Sequence, residues 1–174
     1  ADGLYGAPQL YRACTRLGLK AIVGAEVTLD GGGRLPLLVE DREGYKNLCK
    51  LITVAKGRTT KDGAREGKAI ASWEDLEEHG RGLVALCRGP GADRLVQALG
   101  RRQVYVELQR HLDRGEERQN RALLELATAR RLAVVATNDV RAATRQATAL
   151  QDILTCVRHK TTLSAAGRLL HGNG

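Results

Sequence analysis

Three residues stand where an α/β protein keeps its chemistry. Glu26 lies inside an apolar, β-branched run, LKAIVGAEVTL at 19–29. His111 follows a second run, QVYVELQ at 103–109, and Asp139 follows a third, LAVVATN at 132–138. Two carboxylates and an imidazole at strand ends offer the oxygen and nitrogen lone pairs that a divalent cation takes. A cation held in this way polarises a phosphate ester and activates water against it. Each residue also has an ordinary role. A strand glutamate usually faces solvent or an ion-pair partner, a histidine after a strand is usually hydrogen-bonded, and Asn-Asp commonly makes a turn or cap. Taken alone, the three residues are a weak metal signal.

Other chemistries lack their residues. The chain has no GxxxxGK[ST] phosphate loop, no GxGxxG opening a helix and no GxSxG elbow. Gly31, Gly32 and Gly33 fall between two strand-like runs, so a turn accounts for them. An Asp-x-Asp pair suited to a two-metal polymerase centre is also missing, so these residues offer no such centre of their own.

The elements that must position the three residues follow from periodicity and punctuation. APQLYRACTRL at 7–17 has Leu10, Cys14 and Leu17 at helical spacing and stops at Gly18. After the strand at 19–29, RLPLLVE at 34–40 predicts a second, with Pro36 placing it at an edge or bulge. REGYKNLCKLITVAK at 42–56 predicts a helix, and the polar run at 57–70 a mobile loop. SWEDLEEHG at 72–80 opens with the Ser72 and Asp75 spacing of a cap. Strands at 82–87, 103–109 and 132–138 alternate with helices at 91–100, 116–131 and 144–159. A last turn and helix occupy 161–170. This alternation predicts a mostly parallel sheet flanked by helices, wound or closed into a barrel. Functional residues then belong at the carboxyl ends of the strands.

Composition narrows the class. The chain of 174 residues fits one domain, or most of one. It has no Phe or Met and a single Trp, so Leu, Val, Ile and Ala must build the core. No stretch approaches the roughly 18 apolar residues of a membrane span, which predicts a soluble protein. Cys14, Cys49, Cys87 and Cys156 form no CxxC pair and read as small buried apolar residues of a reducing compartment. The net charge of +8 permits contact with nucleic acid, but the basic residues are scattered, as on any solvated surface. Lys56, Arg58, Lys61, Arg65 and Lys68 gather around one loop, where a solvated insertion is the plainer reading than a DNA contact.

Several long stretches go further. ADGLYGAPQLYRACTRLGLKAIVGAEVTL at 1–29 and LPLLVEDREGYKNLCKLIT at 35–53 resemble successive segments of the PHP (polymerase and histidinol phosphatase) domain of bacterial C-family DNA polymerases, the DNA polymerase III alpha-like proteins. ASWEDLEEHGRGLVALCRG, YVELQRH, VVATNDVR and LQDILTCVRHKTTLSAAGRLLH continue the likeness in the same order. YVELQRH and LTCVRHKTTL are most similar to the error-prone branch, used in damage-induced repair and mutagenesis.

The resemblance implies a distorted (β/α)7 PHP barrel, truncated here at its N-terminal strand–helix unit and lacking the strand that carries the family's His-x-His. It implies a PHP domain over 1–150 and the start of the connection to the polymerase region over 151–174. An open edge of that kind predicts poor stability when the piece is expressed alone. The parent would be a cytoplasmic DNA-directed DNA polymerase that uses Mg, acts on DNA and meets accessory replication or mutagenesis proteins, with no membrane.

The family's metal ligands map onto Glu26, His111 and Asp139. Elsewhere the pattern is lost. Ala1 stands where a His is expected just before Asp2, Arg34 where a His opens the 35–39 strand, and Arg141 where a His follows two residues after Asp139. An arginine cannot ligate a metal and repels one. Arg34 or Arg141 is therefore expected to replace the metal by pairing with Glu26 or Asp139. That makes this PHP domain structural and non-catalytic, with no tightly bound cofactor. An active Zn- or Mn-dependent phosphoesterase or 3'-5' exonuclease is the competing expectation, and a basic nucleic-acid-binding module unrelated to polymerases is a third.

Overall fold

A computed structural model describes residues 2–31, 33–59, 69–111, 114–140 and 144–170. They form two compact units, Ala1–Leu108 with Arg121–Val135, and Gln109–Asn120 with Ala136–Gly174.

The first unit is built on a sheet whose strands lie in chain order: β1 (Gly24–Thr28), β2 (Arg34–Val39), β3 (Leu83–Cys87), β4 (Val104–Leu108) and β5 (Ala133–Ala136). β1 and β2 form an antiparallel hairpin closed by the Leu29 N–H donating to Gly33 O at 2.9 Å. β2 meets β3 antiparallel, and β3 meets β4 parallel. The expected mostly parallel sheet is thus corrected to a mixed one. The short Gly-rich turn leaves no room for the crossover that parallel neighbours need. Pro36 does not mark an edge either, because β2 has partners on both sides. It lies one residue before the β2–β3 pairing begins at Leu37, where its missing N–H breaks no bond to β3.

Strand alternation sorts the side chains into two faces. One face presents Val27, Leu35, Leu37, Leu83, Ala85, Val104 and Val106, all buried. Against it pack α2 (Arg42–Gly57), α3 (Trp73–His79) and α4 (Ala92–Leu99). α2 contributes Leu48, Leu51 and Ile52, α3 Leu76, and α4 Leu95 to the same core. α5 (Glu116–Arg130) adds Leu123 and Ala127. The aliphatic make-up of the sequence is therefore the make-up of the core.

The helix starts hold as their residues require. Asp41 caps α2 by accepting from the Gly44 N–H at 2.8 Å. Ser72 and Asp75 form a reciprocal capping box on α3, each side chain accepting from the other's backbone N–H. α1 (Ala7–Arg16) forms where the spacing of Leu10, Cys14 and Leu17 predicts a helix, yet no residue of it is buried, and Leu17 beyond its end is 71% exposed.

The second unit holds α6 (Arg145–His159), capped by the Thr144 hydroxyl, and α7 (Leu163–Ala166). Lys160 ends α6 in a left-handed conformation with φ of 50°. Among the described residues, no helix is long and apolar enough to cross a membrane.

The cysteines divide by burial. Cys87 and Cys156 are buried, as expected, whereas Cys14 and Cys49 are only half-buried. Burial pushes the Cys87 thiol pKa up, and its S–H donates to Gly89 O at 3.3 Å. Iodoacetamide labelling of the native protein, followed by peptide mass spectrometry, is expected to modify Cys14 and Cys49 well before Cys87. Equal rates at all positions would contradict this ranking.

Candidate functional site

The face of the sheet opposite the core carries the candidate residues of the first unit. Glu26 pairs with Pro36 across the hairpin and Thr28 pairs with Arg34. Glu26 and Arg34 are therefore diagonal neighbours on one face, a separation that long side chains bridge. Arg34 Nη1 lies 3.7 Å from Glu26 Oε2, with both side chains partly exposed.

Asp2 meets the same strand. Its carboxylate accepts from the Thr28 N–H at 2.8 Å and the Thr28 hydroxyl at 3.1 Å, and its own N–H donates to Glu26 O at 2.7 Å. Sequence reasoning treated Asp2 only as a position marker. Its neighbouring Gly3 gave no hint of a role on β1.

Further along this face, α1 and residues Lys20–Val23 stand over an apolar cleft of about 690 Å³. Its lining includes Tyr11, Leu38, Tyr45, Leu86 and Tyr105. Glu107 shares the strand face of Tyr105 but is buried, with Arg88 Nε, just beyond the end of β3, 4.0 Å from its Oε2.

The second unit holds His111 and Asp139, each exposed. The His111 backbone N–H donates to Glu116 Oε2 at 2.7 Å, and Arg110 pairs with Glu117 at 2.7 Å, so the segment after β4 is tied to the first turn of α5. Asp139 adopts φ of 40°, a left-handed conformation that Asp tolerates better than most residues. Arg141 lies outside the described residues.

Gln109 was missed by sequence reasoning. It is buried, its carbonyl accepts from Asn120 at 2.8 Å, and its side-chain amide donates to the Thr137 hydroxyl at 3.3 Å. It thereby ties the segment after β4 to the segment after β5. A glutamine ending an apolar strand was the available signal, since a buried amide needs partners.

Glu26 is answered by a cation of the chain itself. The nearest ion-pair partner is a fixed guanidinium, which has no lone pair to offer. Among the described residues no group of three or more His, Cys, Asp or Glu is arranged to hold a metal ion.

Of the five basic residues around the 57–70 loop, two are already engaged within the chain. Lys56 Nζ donates to the Tyr5 hydroxyl at 2.7 Å and sits 5.0 Å from that ring's centre. Arg58 grips the Asp75 carboxylate with both terminal nitrogens, one of them at 2.8 Å. Lys61, Arg65 and Lys68 lie outside the described residues.

Comparison with known proteins agrees with this architecture. The PHP domain family matches residues 1–94, more than half of the chain. The chain belongs to the PHP domain family. Among curated relatives, the error-prone DNA polymerase of Anaeromyxobacter dehalogenans strain 2CP-C is 42% identical over 99% of this chain and 16% of its own length. Those of Pseudomonas syringae pv. syringae B728a and Pseudomonas fluorescens Pf0-1 are 40% and 36% identical over 98% of the chain and 17% of their own lengths. The PHP domain chain thus spans about a sixth of the relatives it matches.

Proposed function

We propose that this PHP domain is part of an error-prone DNA-directed DNA polymerase and serves it as a stabilising, non-catalytic domain. One observation carries the reading: identity of 36–42% runs through 98–99% of the chain, against proteins named error-prone DNA polymerase. Likeness confined to a shared fold would not extend past residue 94 into α6 and α7.

On this reading the five described strands belong to a distorted (β/α)7 barrel. Residues 1–150 are the PHP domain and 151–174 begin the connection to the polymerase region. DNA synthesis and its Mg ions belong to that region. The work of the whole chain is damage-induced repair and mutagenesis in the cytoplasm, with DNA and accessory replication or mutagenesis proteins as partners. Arg34 beside Glu26 supports a structural role over the alternative, an active phosphoesterase or 3'-5' exonuclease needing zinc or manganese. Glu26, His111 and Asp139 are then residual ligand positions.

The test uses the full-length gene product. Primer extension with Mg is expected. Any hydrolysis of phosphodiesters or of single-stranded 3' ends by the same preparation is expected to be indifferent to Glu26→Gln. Absence of primer extension would remove the polymerase reading. Hydrolysis that disappears in Glu26→Gln would make the domain a catalyst instead.

A further inference from the structure

We infer that the Arg34 guanidinium takes the place of a metal ion beside Glu26 and shuts this position to divalent cations. The inference rests on the family reading above, which makes Glu26 a ligand position and expects a histidine at 34. Strand register puts the two side chains on one face, and the pair closes to 3.7 Å. The other carboxylate at this strand is also satisfied without a metal. Asp2 accepts both donors of Thr28 and anchors its own N–H on Glu26 O. Both carboxylates at this strand are therefore answered by groups of the chain itself.

Charge makes the exclusion active as well as passive. A guanidinium stays protonated at every working pH, so it cannot yield its place to a cation by deprotonating as a histidine does. A dication approaching Glu26 meets that fixed positive charge at close range. Even with the dielectric of water between them, the repulsion weakens binding by roughly tenfold or more.

The test is a Mn²⁺ titration of the full-length chain followed by electron paramagnetic resonance, with Zn and Mn content measured after dialysis. The polymerase region's own sites are present in every sample, so differences between variants report this position. Glu26→Gln in the otherwise unchanged chain is expected to leave the isotherm and the metal content as they were. Arg34→Gln, at a residue exposed enough to leave the fold intact, is expected to add a class of Mn²⁺ site. Glu26→Gln combined with Arg34→Gln is expected to lose it again. A Zn or Mn equivalent that vanishes with Glu26→Gln would overturn the inference, and so would an Arg34→Gln chain that binds no more Mn²⁺ than its parent. Primer extension measured on the same samples keeps the two readings apart. Its absence would sink the polymerase assignment and leave the metal result standing.

Discussion

Replacing Gly44 by alanine is expected to destabilise the folded protein by about 2–3 kcal/mol, as overpacking does. Helix propensity argues the opposite way, since alanine is better than glycine inside a helix by up to about 1 kcal/mol. Packing decides the sign. A Cβ on Gly44 would collide with the Gly82 carbonyl oxygen and carbon. Gly82 cannot simply retreat. Its carbonyl accepts the Glu40 N–H at 3.0 Å, the Arg81 carbonyl before it accepts from Asn47 at 2.9 Å, and its own φ is 74°. The first turn of α2 and the turn entering β3 therefore touch backbone to backbone. Gly57, at the end of the same helix, faces open space. Gly57→Ala is expected to be neutral or to stabilise by at most about 1 kcal/mol. Urea unfolding of both variants checks the contrast, and a Gly44→Ala midpoint at or above the parent's would refute the close contact.

Asp75→Ala is expected to remove about 2–4 kcal/mol at neutral pH, because it deletes charge-assisted hydrogen bonds and one half of a helix cap. Asp75 is buried, accepts from the Ser72 N–H at 2.8 Å and receives both terminal nitrogens of Arg58. Burial alone pushes its carboxyl pKa up. The Arg58 and Ser72 hydrogen bonds outweigh that and leave it below the ordinary carboxylate range. The sign of the pH dependence follows. A folded-state value below the unfolded one, near 3.9, gives stability that is fully present above about pH 4 and is lost as pH falls through the folded value. Parent and variant are therefore expected to differ most from pH 5 upward and to converge on acidification. Thermal unfolding at pH 7, 5 and 3 measures this. A gap that stays constant down to pH 3 would mean that the ionised carboxylate is not its source.

Much of the fold was legible because local signals agreed with one another. Asp41 before α2, Ser72 before α3 and Thr144 before α6 each accept the N–H their residue type suggests. Leu123 and Ala127 are buried as their spacing in α5 predicts. Strand direction was harder to read. β2 is apolar enough to pass for a parallel core strand, and only the short Gly-rich turn before it reports the antiparallel hairpin. Periodicity found α1, but a helical repeat shows which residues share a stripe and not whether anything packs on it. The first strand is also shorter than its apolar run, since Leu19 and Ile22 stay exposed. At the candidate site, the placement of Glu26 beside Arg34 depends on hairpin register, which one residue of slip would reverse. Gln109 and Asp2 act through partners far along the chain, which no local pattern announces.

The sheet's strand order equals its chain order, and this bears on how the protein is made. Each strand from β2 to β4 pairs with the one synthesised before it, beginning with a hairpin whose closing loop is only a few residues long. Among the described strands, none has to be threaded between two that precede it. Short closures are entropically easy and fast, and chains emerge from the ribosome slowly enough for them to form. The β1–β2 hairpin can therefore close as it emerges, without waiting for distant partners. Pulse-labelled hydrogen exchange during refolding should then find β1 and β2 amides protected before those of β4, and simultaneous protection would speak for a single concerted collapse.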